Sequence, residues 1–395
     1  MIRLFLNGLA ASAGGGLTYL RNVVPQLSAR ADVHATVALS PQLRHELQDL
    51  TNVSFLETAL PEGSAGRFWH EQSVLPRLVR ESQADVLISA GNFALRKSPV
   101  PQILLSRNSL YTSRDFFRDL RARRDYRLWL DTRMKGILAK RSLQWADCTV
   151  APSRAFAEEL RHWAGADVVP IYHGFDHETF FSEKTPLPEI LQQKLEADAG
   201  TLRLLFVSHY NYYRNFETLF RAVPLIREAL GGRKVKLFLT CTLHSEVTPG
   251  GYRPEKAAAL IEQLAIPENV VQLGAVSYSQ LHHLYRACDI YVTAAYAESF
   301  AHPLVEAMAS GLPVVASGLP VHREICGAAA LYFPPFSAEE LAQEVLRIAS
   351  SEQLARDLSA QGKLRSQDFS WKRHVDQMIG LACRLTARGL HPNLN

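Results

Sequence analysis

Two carboxylates, Glu298 and Glu306, stand eight positions apart in the run from Tyr296 to Ser317. Pro303 suits the first turn of a helix and Gly311 suits its C′ stop, which places Glu298 in the loop before that helix and Glu306 one turn inside it. The apolar stretches on either side, 289–293 and 313–316, read as buried strands. A loop and helix start at the end of a parallel strand is where open α/β sheets take ligands. Free backbone N–H groups there favour a phosphate or sugar oxygen, and ionised carboxylates accept hydroxyl donors. Together these groups suit a phosphorylated sugar.

A second anion candidate is the stretch 208–219, which follows an apolar run and opens a helix. Its cation, Arg214, lies at a helix start, where positive charge is not favoured; a bound anion would account for it. Gly14-Gly15-Gly16 follows the first apolar strand and precedes the helical pattern 17–24. Glycines let backbone pass close to a ligand, yet the spacing matches neither a dinucleotide fingerprint nor a phosphate loop ending in Gly-Lys-Ser/Thr. Ser106-Arg107-Asn108 ends another strand; Arg107 could meet a phosphate and Asn108 a sugar hydroxyl, or the three form an ordinary turn. No zinc spacing is visible, and none of the 14 histidines forms an H-x-x-x-H pair. His282 and His283 read as a solvated pair on a surface helix.

These groups need a frame. Strands alternate with helical patterns throughout: 2–6, 33–39, 53–56, 86–89, 102–105, 148–151 and 168–171 in a first series, then 202–208, 236–240, 270–273, 290–292, 314–316 and 330–333 in a second. Repeated β-α units imply parallel sheets covered on both faces. The polar, proline-bearing stretch 181–188 reads as the break between the series. The 395 residues, 47% hydrophobic and 21% charged, suffice for two domains with substantial cores. No run reaches the ~18 apolar residues needed to span a bilayer. A strand directly after Met1 leaves no room for a signal peptide, and five scattered cysteines point to buried reduced thiols in a cytoplasmic protein.

The carboxylate-bearing run resembles the E-x7-E signature of glycosyltransferase family 4, retaining enzymes of the GT-B fold. The similarity extends through 273–277 and 281–289 before it, and through 318–325 after it. It implies an α/β GT-B architecture of two doubly wound Rossmann-like domains facing a cleft: 1–181 on the acceptor side, 182–369 for the nucleotide-sugar donor, and 370–395 as a helix returning to the first domain. In this resemblance Glu298 and Arg214 are the catalytic pair, Glu298 holding donor-sugar hydroxyls and Arg214 the diphosphate. Glu306 holds the nucleotide ribose. Gly15, Gly16, His209, Asn215, Ser299, Phe300, Ala301 and His302 complete the donor site, and Arg107, Asn108 and His173 are candidate contacts to donor sugar or acceptor. Two positions depart from the family. His209 stands where an arginine is usual, and Ser106–Asn108 lacks a histidine common in the family. There is no Asp-x-Asp triplet. The resemblance therefore implies a donor substrate that is a nucleotide-diphosphate-sugar, with no cofactor and no required metal.

The partners implied are that nucleotide sugar and a hydroxyl acceptor: a glycan, a lipid-linked sugar or a small molecule. The setting is cell-surface polysaccharide or glycoconjugate assembly. Between Arg107 and Arg141, eleven Arg and Lys face four Asp, with seven large apolar residues interleaved among 116–130. This segment reads either as a solvated helix or as a face for an anionic membrane, which would put the protein at the inner membrane surface. No nucleic-acid motif accompanies it. Two other functions stay open: a catalytically silent GT-B binding or scaffold subunit, and another GT-B enzyme such as a phosphorylase or epimerase.

Overall fold

Seven short stretches rich in Val, Leu, Ile and Ala form the first parallel sheet: β1 Ile2–Asn7, β2 Val33–Leu39, β3 Val53–Glu57, β4 Val86–Ser89, β5 Gln102–Leu105, β6 Cys148–Ala151 and β7 Val168–Pro170. Most of their residues are buried, as parallel strands covered on both faces require. The strand order is β3-β2-β1-β4-β5-β6-β7. A second sheet holds β8 Leu202–Phe206, β9 Val235–Leu239, β10 Val270–Gln272, β11 Ile290–Thr293, β12 Val314–Ser317 and β13 Ala330–Phe333, in the order β10-β9-β8-β11-β12-β13. These observations come from a computed structural model, which describes residues 1–390 except 12–14, 45–46, 48–49, 59–60, 62, 197, 199 and 245–250. Gly14 therefore lies outside the described residues.

The chain divides into two compact units: 1–112, 125–174 and 370–395 form the first, and 113–124 with 175–369 form the second. The expected boundary at 181/182 thus shifts to 174/175, because Phe175 already bonds within the second unit, its N–H donating to the Phe369 carbonyl at 3.3 Å. The short helix Arg114–Ala122 also belongs to the second unit, although it falls inside the stretch 1–181 expected as one domain.

In the first unit the final helix, Trp371–Leu390, packs its Trp371, Val375, Met378, Ile379 and Ala382 into the same core as Leu20, Val23 and Val24 of the helix Gly15–Ser28. Gly174 permits this. A Cβ there would overlap the backbone of Trp371. Of the five cysteines, all free, Cys241, Cys288 and Cys326 are buried and Cys148 is half-buried, whereas Cys383 is exposed. His282 is buried, against the expectation of a solvated pair. Its ring centroid lies 3.9 Å from that of His283, the two rings tilted by 37°, and its Nδ1 lies 2.9 Å from the Ser279 carbonyl.

Candidate functional site

In the second sheet the strand order reverses direction between β8 and β11, which are direct neighbours. Loops leaving two such strands diverge to opposite faces and open a crevice at their carboxyl ends. The loop after β8 carries Arg214 and the loop after β11 carries Glu298. Asn211 caps the 3-10 turn Tyr212–Arg214, its Oδ1 accepting the Arg214 N–H at 3.1 Å. The Tyr296 N–H donates to the Tyr213 carbonyl at 2.9 Å and ties the two loops together. Residues 84 positions apart thereby meet: Arg214 Nη1 donates to Glu298 Oε2 in an ion pair whose side chains are only 19% and 11% exposed. The other carboxylate oxygen accepts the Ser299 N–H at 3.1 Å.

Burial alone would raise the Glu298 pKa. The positive charge of Arg214, with help from the Ser299 N–H, outweighs it and holds the carboxyl below its usual range. Arg214 is correspondingly held charged by Glu298, against its own desolvation. Its Nε is buried and finds no hydrogen-bond partner among the described residues. The anion that the sequence argument sought for Arg214 is, in this structure, the protein's own Glu298.

Glu306 behaves differently. It lies inside the helix His302–Ala309, buried, where its Oε2 accepts from the Tyr285 hydroxyl at 2.8 Å. Burial pushes its pKa up to about 7, with the Tyr285 bond opposing only in part. His322 is also fully buried, beyond β12. Its Nδ1 lies 2.8 Å from the Ser317 carbonyl, so that nitrogen carries the proton. Burial lowers its pKa to about 4, although the Glu298 charge works the other way. A neutral imidazole next to the Arg214–Glu298 pair was not among the sequence-derived candidates. A histidine five residues beyond the end of a buried apolar strand was the available signal.

The remaining donor-site candidates divide by exposure. Asn215 is buried with φ +55°, and its amide donates to the Ala294 carbonyl at 3.2 Å while its Oδ1 accepts from Thr218 at 3.0 Å. Its side chain is thus committed to holding the helix start against the end of β11. Ala301 takes φ +67°, a left-handed backbone that costs a non-glycine residue energy and marks a constrained turn. Phe300 is buried beside His302, ring centroids 4.8 Å apart, whereas Ser299 is half-buried and His209 is exposed. Among the described residues no group of three or more His, Cys, Asp or Glu is placed to hold a metal ion.

A network the sequence reasoning missed supports both loops. Arg123 is bound by Asp119 at 2.9 Å and Glu217 at 2.7 Å, and its guanidinium lies 4.3 Å from the Tyr212 ring centroid. Asp119 also accepts from the Tyr296 hydroxyl at 2.7 Å. The segment 113–124 therefore braces Tyr212 and Tyr296, residues flanking Arg214 and Glu298. Arg123 is committed to these partners, which corrects its assignment to an exposed cationic face. The Asp-x-x-x-Arg spacing at 119 and 123 was the signal, but nothing in it names Glu217.

In the first unit, Arg107 spans the loops after β1 and β4. It donates to the Gly15 carbonyl at 3.1 Å and the Ala90 carbonyl at 2.5 Å, with its guanidinium 5.0 Å from the Tyr19 ring centroid. Desolvation lowers its pKa. A Cβ on Gly16 would come within 3.0 Å of Ala11 Cα, so close backbone approach requires glycine there; Gly15 faces open space. Asn108 spends its Oδ1 on the Leu110 N–H at 3.0 Å. His173 is buried among Tyr19, Trp371 and His374, with ring centroids 5.4–5.6 Å away, so its ring is occupied by packing.

Comparison with known proteins bears on the family and the fold. The family model described as Glycosyltransferase Family 4 matches residues 13–179, and that described as Glycosyl transferases group 1 matches 189–365. A D-inositol 3-phosphate glycosyltransferase of Segniliparus rotundus is 30% identical over 201 residues, covering 50% of this chain and 42% of that protein. This chain thus spans less than half the length of that relative. Sucrose-phosphate synthase from Thermosynechococcus elongatus superposes with a TM-score of 0.77 at 20% identity, over 98% of this chain and 100% of that one. Anabaena HepE in complex with UDP-glucose superposes with a TM-score of 0.70 at 18% identity, over 98% and 100% respectively. Matched along both halves and sharing the two parallel-sheet Rossmann-like domains of these structures, the chain belongs to glycosyltransferase family 4 and has the GT-B fold.

Proposed function

We propose that this protein is a retaining glycosyltransferase that moves a sugar from a nucleotide-diphosphate-sugar to a hydroxyl acceptor without a required metal. The observation that carries the reading is the half-buried Arg214–Glu298 pair at the strand-order reversal. A cation and a carboxylate held together there match the two halves of a sugar diphosphate. On binding, the diphosphate replaces Glu298 as the anion on Arg214, and the freed carboxylate accepts hydrogen bonds from sugar hydroxyls. Neither charge is left bare at any stage.

In the transfer step the bond between the sugar's anomeric carbon and the diphosphate oxygen breaks. The acceptor oxygen bonds that carbon from the same face, and a phosphate oxygen of the leaving group takes the acceptor's proton. Charge grows on the diphosphate in the transition state, where Arg214, the loop amides and the N-terminal N–H groups of the helix His302–Ala309 stabilise it. No enzyme nucleophile is required. Relatives named for sugar transfer to a phosphorylated inositol, and a fold neighbour solved with UDP-glucose, support the reading. Cell-surface glycoconjugate assembly on the cytoplasmic side is the setting we assign it.

The test is a turnover assay with a panel of UDP-, GDP-, ADP-, CMP- and dTDP-sugars, run with and without excess EDTA and with product stereochemistry determined by NMR. Transfer with retained anomeric configuration, unaffected by EDTA, is expected. Nucleotide-sugar binding without turnover of any acceptor would favour a silent binding subunit. Activity lost to EDTA and restored by a divalent ion would overturn the metal-free mechanism.

A further inference from the structure

His322 carries a buried ring nitrogen, Nε2, with no hydrogen-bond partner among the described residues. The residue is third in the helix Pro320–Cys326, which follows β12. Strand β12 pairs in parallel with β11, so the loops leaving the two strands lie side by side at one sheet edge. Ser317, the last residue of β12, joins them. Its hydroxyl donates to the Ala295 carbonyl, in the loop that carries Glu298, and lies 3.1 Å from His322 Nδ1. His322 is fully buried, and its Nδ1 proton goes to the Ser317 carbonyl at 2.8 Å. That bond fixes the tautomer and leaves Nε2 with an open lone pair.

A buried acceptor without a donor weakens the fold, and such atoms are few in native proteins. This one lies where a ligand is expected. His322 feels the charges of both Glu298 and Arg214, and Arg214 Nε is a second buried atom without a partner. An open acceptor and an open donor thus accompany the Arg214–Glu298 pair. Burial keeps the imidazole neutral above about pH 4, so Nε2 accepts and does not donate. Ionised phosphate oxygens have no proton to offer it, whereas a sugar hydroxyl does. The chemistry therefore selects the sugar of a sugar diphosphate over its phosphates.

We propose that His322 is a donor-sugar contact, its Nε2 accepting a hydrogen bond from a hydroxyl of the transferred sugar beside the Glu298 carboxylate. The contact rests on the function proposed above: the exchange of anions on Arg214 parts the two charged side chains and lets the hydroxyl reach the ring. It adds specificity, because a sugar lacking that hydroxyl leaves the nitrogen bare. Isothermal titration calorimetry on the full chain compares the best-binding nucleotide sugar of the UDP, GDP, ADP, CMP and dTDP panel with its free nucleotide. His322→Asn keeps a donor for the Ser317 carbonyl and removes Nε2. It should weaken the nucleotide sugar roughly three- to tenfold, the worth of one neutral hydrogen bond, and leave the free nucleotide unchanged. Gln reaches as far as Nε2 with an amide oxygen, so His322→Gln should recover part of the loss. Both ligands are measured on the same folded protein, so a change in melting temperature does not alter their ratio. Nitrogen-15 NMR adds a readout without turnover: Nε2 should resonate as a free imine nitrogen in the unliganded protein and shift to hydrogen-bonded values with nucleotide sugar but not with nucleotide. An unchanged ratio in His322→Asn, or equal weakening of both ligands, would overturn the contact and leave the proposed function standing. A wild-type chain that binds none of the panel would overturn both.

Discussion

Replacing Glu298 with Gln isolates the charge in the Arg214–Glu298 pair from its shape. The amide keeps the volume and can still accept the Ser299 N–H, while Arg214 is left charged with side chains at this site only 19% and 11% exposed. Breaking a buried pair by removing one partner costs about 3–5 kcal/mol. Because this pair retains some solvent contact, the lower end applies, about 3 kcal/mol. In a unit of this size 1 kcal/mol moves the melting temperature by about 2–4 °C, so the unliganded variant should melt roughly 6–12 °C lower. A nucleoside diphosphate supplies the missing anion, and its binding should rescue the variant more than it raises the wild type, which gains about 2.7 kcal/mol at a hundredfold excess over Kd.

Transfer should move the opposite way. Loss of a charged partner for sugar hydroxyls costs about 1.5–3 kcal/mol, or a ten- to hundredfold drop in turnover. Scanning calorimetry with and without nucleoside diphosphate, beside the transfer assay, reads all three effects. The double variant Glu298→Gln with Arg214→Met should be destabilised by less than the sum of the single changes. A Glu298→Gln protein with wild-type melting temperature and wild-type turnover would refute the exchange of anions on Arg214.

Glu306→Gln should be pH-selective. A carboxyl raised from 4.5 to about 7 binds its proton more tightly in the folded state, so native stability falls as pH rises from 4.5 through 7, by about 3 kcal/mol in all. The amide, still able to accept from Tyr285, should therefore stabilise the protein in urea denaturation at pH 8 and leave it unchanged at pH 4.5; an equal effect at both would contradict the shift. Arg123→Met strands Asp119 and Glu217 and should cost about 3–5 kcal/mol, with partial recovery on adding Glu217→Gln. Gly174→Ala should destabilise the first unit by at least 1–3 kcal/mol and loosen the final helix, read as lost amide-exchange protection across residues 371–390, because the new methyl meets backbone that cannot rotate away.

Most strands were legible because a strand buried on both faces holds a short unbroken apolar run, and 4–6, 86–88, 290–292 and 314–316 are such runs. The placement of Glu298 before a helix and Glu306 inside it was legible because Pro303 and Gly311 mark where that helix begins and ends. Two things were not. Periodicity says which residues share a face but not what that face meets, so the basic segment 107–141 left Arg123, held by Asp119 and Glu217, looking the same as Arg133, which is exposed. Likewise the strand pattern could not show that 113–124, lying between β5 and β6 in sequence, folds with the second unit. Contacts such as Tyr296 to Asp119, 177 residues apart, leave no local trace.

The two acids of the E-x7-E spacing are alike in the sequence and opposite in the fold. Both lose water, and desolvation is the largest influence on each. Glu298 recovers the loss from a guanidinium and a backbone N–H and stays ionised. Glu306 has one phenol, which stabilises its charge far less, so it titrates near neutrality. An ionised carboxylate can only accept, whereas a protonated one also donates. The pair can therefore present an acceptor at Glu298 and, below pH 7, a donor and acceptor at Glu306. Under the proposed function this separates their tasks: Glu298 answers sugar hydroxyls once Arg214 turns to the diphosphate, while Glu306 meets ribose hydroxyls in either protonation state. Environments that push two carboxyl groups apart in this way are how one pair of residues takes on two roles.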